Sequence, residues 1–231
     1  FPVEAMRVNA VGTARLLRAF RECRDPQCFV LASSSEVYGF EQGPISETSP
    51  IRAKNAYAAS KIAAEEAVRA SGIPYVIMHA FNTYGRSLIN LPKFIVDETI
   101  YQALTTDRIL LRDGRPQRDL LFREDHVDAY LAVVRHWADV RGESFNFGTG
   151  TTHSISDMAH MVAAMTGAAK PQFANQKRTG DIDSLLADSR KAWERLGWAA
   201  QYPLEKGLEQ AIKEWRQCLK VQRLQPASVS S

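Results

Sequence analysis

The sequence predicts a doubly wound α/β fold, and two observations support this prediction. Residues 28–32 and 74–78 are short continuous apolar runs, which are typical of strands that helices cover on both faces. Residues 3–23 and 57–71 have helical patterns, and the order helix, strand, helix, strand is that of a parallel sheet. Ligands of such sheets bind beyond the carboxyl ends of the strands.

Two helices and a long loop accompany these strands. The first helix has one predicted apolar face, formed by Val8, Val11, Gly12, Leu16 and Ala19. Residues 39–55 contain Gly43, Pro44 and Pro50 and are predicted to form a loop. The second helix ends before Gly72, because glycine commonly stops helices.

The second half of the chain is less regular, but its patterns still predict separate elements. Helices are predicted at residues 91–105, 125–137, 154–163 and 204–219, and strands at residues 109–111 and 145–148. Ser154 is predicted to cap the helix that follows it, because a serine side chain can accept a hydrogen bond from a free backbone N–H.

Composition excludes several classes of protein. The chain is 45% hydrophobic and 24% charged with a net charge of +3, which is ordinary for a soluble globular protein and gives no sign of nucleic-acid binding. No run approaches the roughly 20 apolar residues that span a bilayer. Three cysteines and five histidines show no disulfide framework and no metal-ligand spacing. We therefore expect a cytoplasmic protein without a bound metal, a nucleic-acid partner or a membrane partner.

The feature that best indicates chemistry is the pair Tyr57 and Lys61. Residues four apart on a helix lie on the same face, one turn from each other. A lysine ammonium beside a phenol favours the phenolate and is expected to lower the tyrosine pKa. A Tyr-x-x-x-Lys spacing also occurs on many surface helices, so the pair is informative only together with other residues.

A second polar group follows the first predicted strand. Ser34 and Glu36 lie two residues apart, so they point the same way if the strand geometry persists. A hydroxyl and a carboxylate then project together toward the ligand crevice. Serine-rich strand ends are also common turn formers, which is the alternative interpretation.

These residues belong to an ordered series of motifs. The sequence resembles the extended short-chain dehydrogenases/reductases, in particular the NAD-dependent nucleotide-sugar epimerase/dehydratase family. The matching segments, in the family's order, are residues 32–39, 57–61, 81–85, 113–119, 145–150, 178–181, 196–198 and 203–208. Several motifs in the right order are far more specific than any one of them.

The resemblance implies roles for individual residues. Tyr57 is implied as the base that takes the proton of the sugar 4-hydroxyl, and Ser34 as a hydrogen-bond partner of the same hydroxyl. Lys61 is implied to bind the nicotinamide ribose and to lower the Tyr57 pKa. The implied NAD-binding residues are Ala32, Ser33, Tyr57, Lys61, Phe81 and Asn9. The implied substrate-binding residues are Asn82, Arg118 and Arg178, where the two guanidinium groups suit a diphosphate. For Asn9, a helix-packing amide is an equally good interpretation.

Glu36 and Ser35 bear on the type of reaction. A 4,6-dehydratase must remove the C5 proton and expel the C6 hydroxyl, which requires an extra acid/base beyond that of a 4-epimerase. Family dehydratases have a glutamate at the position of Glu36, and those acting on guanosine-diphospho-mannose resemble this chain in having a serine at the position of Ser35. Some epimerases and decarboxylases of UDP-glucuronate also have this glutamate.

The resemblance therefore favours a 4,6-dehydratase that works on a nucleoside-diphosphate sugar through a 4-keto intermediate. A 4-epimerase, a UDP-glucuronate decarboxylase and a non-catalytic relative remain open. A reductase of small carbonyls is disfavoured, because it has no use for the paired Arg118 and Arg178.

The resemblance also implies the domain organisation. A Rossmann-like NAD-binding domain without its first strands is expected at residues 1–84 and 119–147, because the sequence contains no Gly-x-x-Gly-x-x-Gly turn. A smaller α/β nucleotide-sugar domain is expected at residues 85–118 and 148–222, followed by a tail at 223–231. The chain by itself is expected to bind NAD weakly. A homodimer is expected through the helices at residues 3–23 and 57–71. One departure from the family is His79, at a position where arginine is common.

Overall fold

The computed structural model describes residues 2–85, 92, 94–177 and 182–224. Arg178, a predicted substrate-binding residue, lies outside the described residues. The helices are α1 (Pro2–Ala5), α2 (Gly12–Arg21), α3 (Ala56–Arg69), α4 (Ile95–Thr106), α5 (Arg123–Val140), α6 (Ile155–Thr166), α7 (Arg190–Leu196) and α8 (Leu204–Leu224). A π-helical segment (Met6–Val11) joins α1 to α2, and a 3₁₀ helix (Ser35–Tyr38) follows the first strand.

The strands are short. They are β1 (Phe29–Ala32), β2 (Pro44–Ile45), β3 (Tyr75–Ala80), β4 (Asn82–Tyr84), β5 (Leu110–Leu111), β6 (Gln117–Phe122), β7 (Glu143–Phe147), β8 (Thr152–Ser154), β9 (Gln172–Phe173) and β10 (Ser184–Ala187). The two apolar runs of the first half are strands, as predicted. The sequence did not predict β6, because it begins with the polar residues Gln117, Arg118 and Asp119, which do not resemble a buried strand.

Two compact units make up the chain. The first contains residues 1–83, 117–152 and 182–201, and the second contains residues 84–116, 153–181 and 202–231. This division differs from the expected one mainly in residues 182–201, which were assigned to the second domain. They belong to the first unit because β10 pairs in parallel with β6 and β2.

The central sheet of the first unit is parallel and has the strand order β1–β3–β7. Alternate residues of β3 pack on opposite faces. Ile77 joins a cluster with Leu17 and Val68, from α2 and α3, whereas Val76 and Met78 join a cluster that includes α5. Helices therefore cover both faces of the sheet, and the doubly wound α/β prediction is confirmed. A second sheet contains β2, β10, β6 and β4 in that order.

Two local features of the first unit could not be predicted from the sequence pattern. The predicted apolar face of the first helix is largely exposed, since the exposed fractions of Val8, Val11 and Leu16 are 53%, 46% and 60%. Leu17 and Thr13 are the buried residues of α2. The strand geometry also does not persist to Glu36, because Ser34 caps the 3₁₀ helix by accepting a hydrogen bond from the Glu36 N–H.

The second unit has its own buried contacts. Its strands β5 and β9 pair in parallel. Trp215 Nε1 of α8 donates to the buried Asp97 Oδ1 of α4 at 2.9 Å. Ser154 caps α6 as predicted, with its hydroxyl accepting from the Asp157 N–H at 2.9 Å.

The described residues offer neither a membrane-spanning helix nor a cluster of metal ligands. No helix among them is both long enough and apolar enough to cross a bilayer. The same residues contain no group of three or more histidine, cysteine or acidic side chains that could hold a metal ion.

Candidate active site

The predicted catalytic residues Tyr57, Lys61 and Ser34 lie together at the carboxyl end of β1. Lys61 Nζ donates to the carbonyl oxygen of Ala32, the last residue of the strand, at 2.9 Å. Ser34 lies close enough to the Tyr57 phenol for its hydroxyl to lower the Tyr57 pKa. Asn55 fixes the start of α3 by accepting from the Ala58 N–H at 2.8 Å. The capped helix therefore presents a phenol and an ammonium to the tip of a parallel strand.

Tyr57 is accessible to a ligand. It is 43% exposed, although most of α3 packs against the unit. The Lys61 Nζ lies 5.8 Å from the centroid of the Tyr57 ring. The pair is thus close to the strand end without being sealed in the interior.

The pKa of Tyr57 does not follow the expectation from sequence. Burial raises the Tyr57 pKa, the Ser34 hydroxyl lowers it, and the negative charge of Glu36 raises it, so the pKa lies above its ordinary value. Burial also lowers the Lys61 pKa, although the charge of Glu65 opposes this effect. The predicted lowering of the Tyr57 pKa was wrong for the chain's own groups, because partial burial of the phenol and the negative charge of Glu36 together outweigh the effect of Ser34.

The serines after β1 divide into two kinds. Ser33 and Ser35 are buried, with exposed fractions of 9% and 5%. Ser33 donates its hydroxyl proton to the carboxylate of Glu65. Ser34, between them, faces Tyr57. Of the three, Ser34 is therefore the serine that lies near Tyr57, whereas Ser35 lies in the interior.

Glu36 has two partners on one oxygen. The Lys54 Nζ lies 3.1 Å from Glu36 Oε2, and Asn55 Nδ2 donates to the same atom at 3.1 Å. The Glu36 side chain is 33% exposed, whereas the Lys54 side chain is only 9% exposed. The sequence analysis missed Lys54, since its only signal there was its place just before the helix cap.

A buried polar network lies beneath the strand end. His79 Nε2 is 2.9 Å from Glu65 Oε1, and Tyr38 Oη is 3.0 Å from His79 Nδ1. Tyr38 Oη also donates to Asn146 Oδ1 at 2.7 Å. This network was missed too. Two signals for it were present in the sequence: Glu65 follows Lys61 by one helical turn, and His79 is a single histidine in an apolar strand.

Asn9 connects two helical segments. It lies in the π-helical segment, and its Nδ2 donates to Ser60 Oγ at 2.9 Å. Ser60 Oγ in turn donates to the carbonyl oxygen of Tyr57 at 2.7 Å. This contact is the one expected of a helix-packing amide, and it also links Asn9 to the backbone of Tyr57.

The remaining predicted residues that the structure describes are Phe81, between β3 and β4, Asn82 on β4 and Arg118 on β6. Phe81 is 2% exposed and packs in a core cluster with Val37 and Ile45. Asn82 Oδ1 is buried and has no hydrogen-bond partner within the part of the chain that the structure describes. Arg118 Nη1 donates to the carbonyl oxygens of Gln117 and Ile182 at 2.8 and 2.9 Å.

Comparison with known proteins gives a consistent family. The model of the family described as GDP-mannose 4,6 dehydratase matches residues 1–211. The dTDP-glucose 4,6-dehydratase of Xanthomonas campestris pv. campestris is 29% identical, with 93% of this chain and 67% of the relative covered. The UDP-glucose 4-epimerase of Halalkalibacterium halodurans is 31% identical, with 91% and 69% covered.

A solved structure is similar over the same length. MoeE5 in complex with UDP-glucose and NAD superposes with a TM-score of 0.83 at 30% identity, covering 93% of this chain and 73% of that protein. The chain belongs to the GDP-mannose 4,6-dehydratase family, within the extended short-chain dehydrogenases/reductases that include the sugar epimerases and dehydratases.

Proposed function

We propose that this protein is an NAD-dependent 4,6-dehydratase of a nucleoside-diphosphate sugar, which works through a 4-keto intermediate. The observation that carries the proposal is the convergence of Ser34, Tyr57 and Lys61 at the end of β1, with the Glu36 carboxylate two residues from Ser34. Relatives named as dehydratases and epimerases of nucleotide sugars support the substrate class.

The chain's donor groups fit a nicotinamide ribose. The Lys61 ammonium uses one N–H for the Ala32 carbonyl, and its other N–H groups have no partner in the described part of the chain. A ribose diol accepts hydrogen bonds from such donors, and the partly exposed Tyr57 lies beside them. NAD, when bound, would accept the hydride from the sugar C4 and later return it. The complex of MoeE5 with NAD supports this assignment.

Tyr57 is the proton acceptor in this proposal. Its phenolate takes the proton of the 4-hydroxyl, while the Ser34 hydroxyl holds the same oxygen in place. Because burial raises the Tyr57 pKa, the phenolate requires stabilisation by positive charge. Lys61, one turn along the helix, is the nearby cation.

Glu36 favours a dehydratase over an epimerase. Elimination of water from the 4-keto sugar needs a base for the C5 proton, and a partly exposed carboxylate beside Tyr57 is suited to that step. Ser35 does not supply a second acid, because it is buried and has no carboxyl group. In this proposal Glu36 alone takes the C5 proton and gives it to the departing hydroxyl. A 4-epimerase is the second candidate, which the relatives of that name support.

Asn82 and the two predicted arginines are proposed to hold the diphosphate. The orphaned Asn82 Oδ1 is the observation that favours a ligand there, since buried polar atoms usually have partners. Arg118 and Arg178 would supply paired charged donors to phosphate oxygens.

A homodimer through the first helix and α3 is proposed as well. Val3, Val8, Val11 and Leu16 of the first helix are all exposed apolar residues, and burying them against a second copy is favourable. In multi-angle light scattering the intact protein is expected to have twice the monomer mass, and Leu16→Asp is expected to shift it toward the monomer.

The function is tested by incubating the intact protein with NAD and a panel of nucleotide sugars, followed by mass spectrometry. Loss of one water from one of the sugars is the expected result. An unchanged mass with inversion at C4 identifies an epimerase, and loss of carbon dioxide identifies a decarboxylase. Unchanged turnover by Tyr57→Phe would rule out the assigned mechanism.

A further inference from the structure

Glu36 uses its two carboxylate oxygens differently. Both Lys54 Nζ and Asn55 Nδ2 contact Oε2, each at 3.1 Å. Oε1 has no hydrogen-bond partner among the residues the structure describes, and the side chain is 33% exposed. One oxygen is therefore held by the protein, and the other is open to a ligand.

Backbone contacts on both sides of Lys54 fix its position in the chain. On one side, the Arg52 N–H donates to the Val37 carbonyl of the 3₁₀ helix at 2.8 Å. This approach requires Gly39, because a Cβ there would lie 2.5 Å from the Arg52 carbonyl oxygen. On the other side, Asn55 caps α3. Lys54 thus lies between the element that carries Glu36 and the helix that carries Tyr57.

The burial of Lys54 distinguishes this ion pair from those of the surface. A lysine that loses its water needs a compensating charge, because an unpaired buried ammonium is strongly unfavourable. The Lys54 side chain is 9% exposed, and Glu36 is the carboxylate that compensates it. Exposed pairs, in contrast, contribute little and are easily rearranged. The contact is therefore expected to fix the orientation of the Glu36 side chain.

We propose that Lys54 is a positioning residue that holds Glu36 by Oε2 and turns Oε1 toward the C5–C6 bond of the sugar. This inference rests on the proposed function. In the elimination step the Glu36 carboxylate takes the C5 proton of the 4-keto sugar, and the electron pair of that C–H bond forms the C5–C6 double bond. The C6–O bond breaks, and the leaving hydroxyl departs as water with the proton from Glu36. Lys54 itself forms no bond to the sugar.

The test separates the two halves of the reaction in Lys54→Met, with the intact protein and NAD. Oxidation at C4 is followed by the absorbance of reduced nicotinamide in a single turnover, and attack at C5 by uptake of deuterium from the solvent. We expect C4 oxidation and the KM for the sugar to stay within about threefold, because Tyr57 and Lys61 are intact. We expect the rate of C5 exchange and the kcat of water loss to fall by about 100-fold, because a general base that is out of position loses a rate factor of about this size.

Two variants serve as controls. Lys54→Arg retains the charge and is expected to recover most of the C5 exchange. Lys191, on α7, also lies 3.1 Å from a glutamate, Glu143 of β7. Lys191→Met is expected to leave both half-reactions unchanged. In a Glu36→Gln background, Lys54→Met is expected to have no further effect on C5 exchange, because the two residues act on one step.

Two results would overturn the inference. One is a wild-type rate of C5 exchange in Lys54→Met. The other is a parallel loss of C4 oxidation and C5 exchange that Lys54→Arg does not restore, which would assign Lys54 a structural role. If Lys54→Met does not fold, Lys54→Gln takes its place with the same expectations. Failure of the proposed function is distinct: the wild-type protein would then remove water from no nucleotide sugar, whatever the Lys54 variants do.

Discussion

The two ends of α3 show how one helix carries polar residues for different purposes. Near its start, Tyr57 is 43% exposed and lies close to Ser34 at the strand end. Two turns later, Glu65 is fully buried, and its carboxylate is bonded to Ser33, His79 and Arg69. The first group is open to a ligand, and the second has protein partners on both carboxylate oxygens.

This difference between the two ends distinguishes polar residues that stabilise the fold from polar residues that can react with a substrate. A buried polar group that is fully bonded stabilises the fold, because removing any partner leaves a desolvated group unpaired. A polar group that is accessible and only partly bonded can exchange protons with a substrate. The Glu65 network therefore stabilises the fold beneath the strand end, while the Tyr57 end is the one proposed to carry out the reaction. Each of the following predictions tests one side of this comparison.

The largest effect is expected for Tyr57→Phe. We expect the kcat for nucleotide-sugar turnover to fall by about 1,000-fold, because the variant loses the group that takes the proton from the 4-hydroxyl. The free energy of unfolding is expected to change by less than about 0.5 kcal/mol, since the phenol is partly exposed. Steady-state kinetics and chemical denaturation measure the two quantities. Tyr75→Phe, on the central strand β3, is the matched control, and a comparable loss of activity there would contradict the assignment.

Glu65→Gln, in contrast to Tyr57→Phe, is expected to act mainly on the free energy of unfolding. The variant leaves His79 and Arg69 without their buried carboxylate, so the free energy of unfolding is expected to fall by about 3 kcal/mol. The matched control is Glu66→Gln, because Glu66 pairs with the same arginine but is 67% exposed. Its effect is expected to stay below about 0.5 kcal/mol. Equal effects of the two variants in urea denaturation would remove the distinction between the ends of the helix.

The buried end of α3 is also expected to make the free energy of unfolding depend on pH. Burial acts to raise the Glu65 pKa, but the hydrogen bond and charge of His79, with Ser33 and Arg69, outweigh it and hold the pKa below its ordinary value. A lowered pKa in the folded state adds stability above the unfolded value of about 4.3, and this contribution is lost as the pH falls through the folded value. The difference in unfolding free energy between wild type and Glu65→Gln is therefore expected to be constant near neutral pH and to shrink below about pH 4. A difference that grows on acidification would refute this sign.

The smallest effect is expected for Gly39→Ala. Gly39 has a φ of 66°, and an added Cβ would lie 2.5 Å from the Arg52 carbonyl oxygen. We expect a loss of about 2 kcal/mol in thermal unfolding, together with weaker C5 exchange because Lys54 is displaced. Gly43→Ala is the control, since Gly43 has a φ of 79° but no atom within 4 Å of the added Cβ. It is expected to lose about 1 kcal/mol from backbone strain alone and to leave the exchange unchanged.

Features encoded by local pattern could be predicted from the sequence. The apolar runs around Leu31 and Ile77 gave β1 and β3, because strands buried on both faces have no polar positions. The spacing of Tyr57 and Lys61 placed them on one face of α3, because helix geometry fixes that relation. The cap at Ser154 and the end of α3 before Gly72 likewise depend only on neighbouring residues.

Features that depend on distant residues could not. The contact of Lys54 with Glu36 requires the backbone of Arg52 to return against Val37, which no local pattern encodes. The raised pKa of Tyr57 depends on burial by the folded chain, which sequence spacing does not measure. The exposure of Val8 and Leu16 could not be predicted, because periodicity identifies an apolar face but not what covers it.

The most direct test of the proposed 4,6-dehydratase is the transfer of a deuterium label from C4 to C6 of the sugar. The intact protein is incubated with NAD and a nucleotide sugar that carries deuterium at C4, and the product is analysed by NMR. If Tyr57 starts the reaction by oxidation at C4 and Glu36 removes the C5 proton, the label is expected at C6 of a 4-keto-6-deoxy sugar. A product that retains the deuterium at C4 would contradict the 4,6-dehydratase, and a complete absence of reaction with every nucleotide sugar would contradict the assigned site.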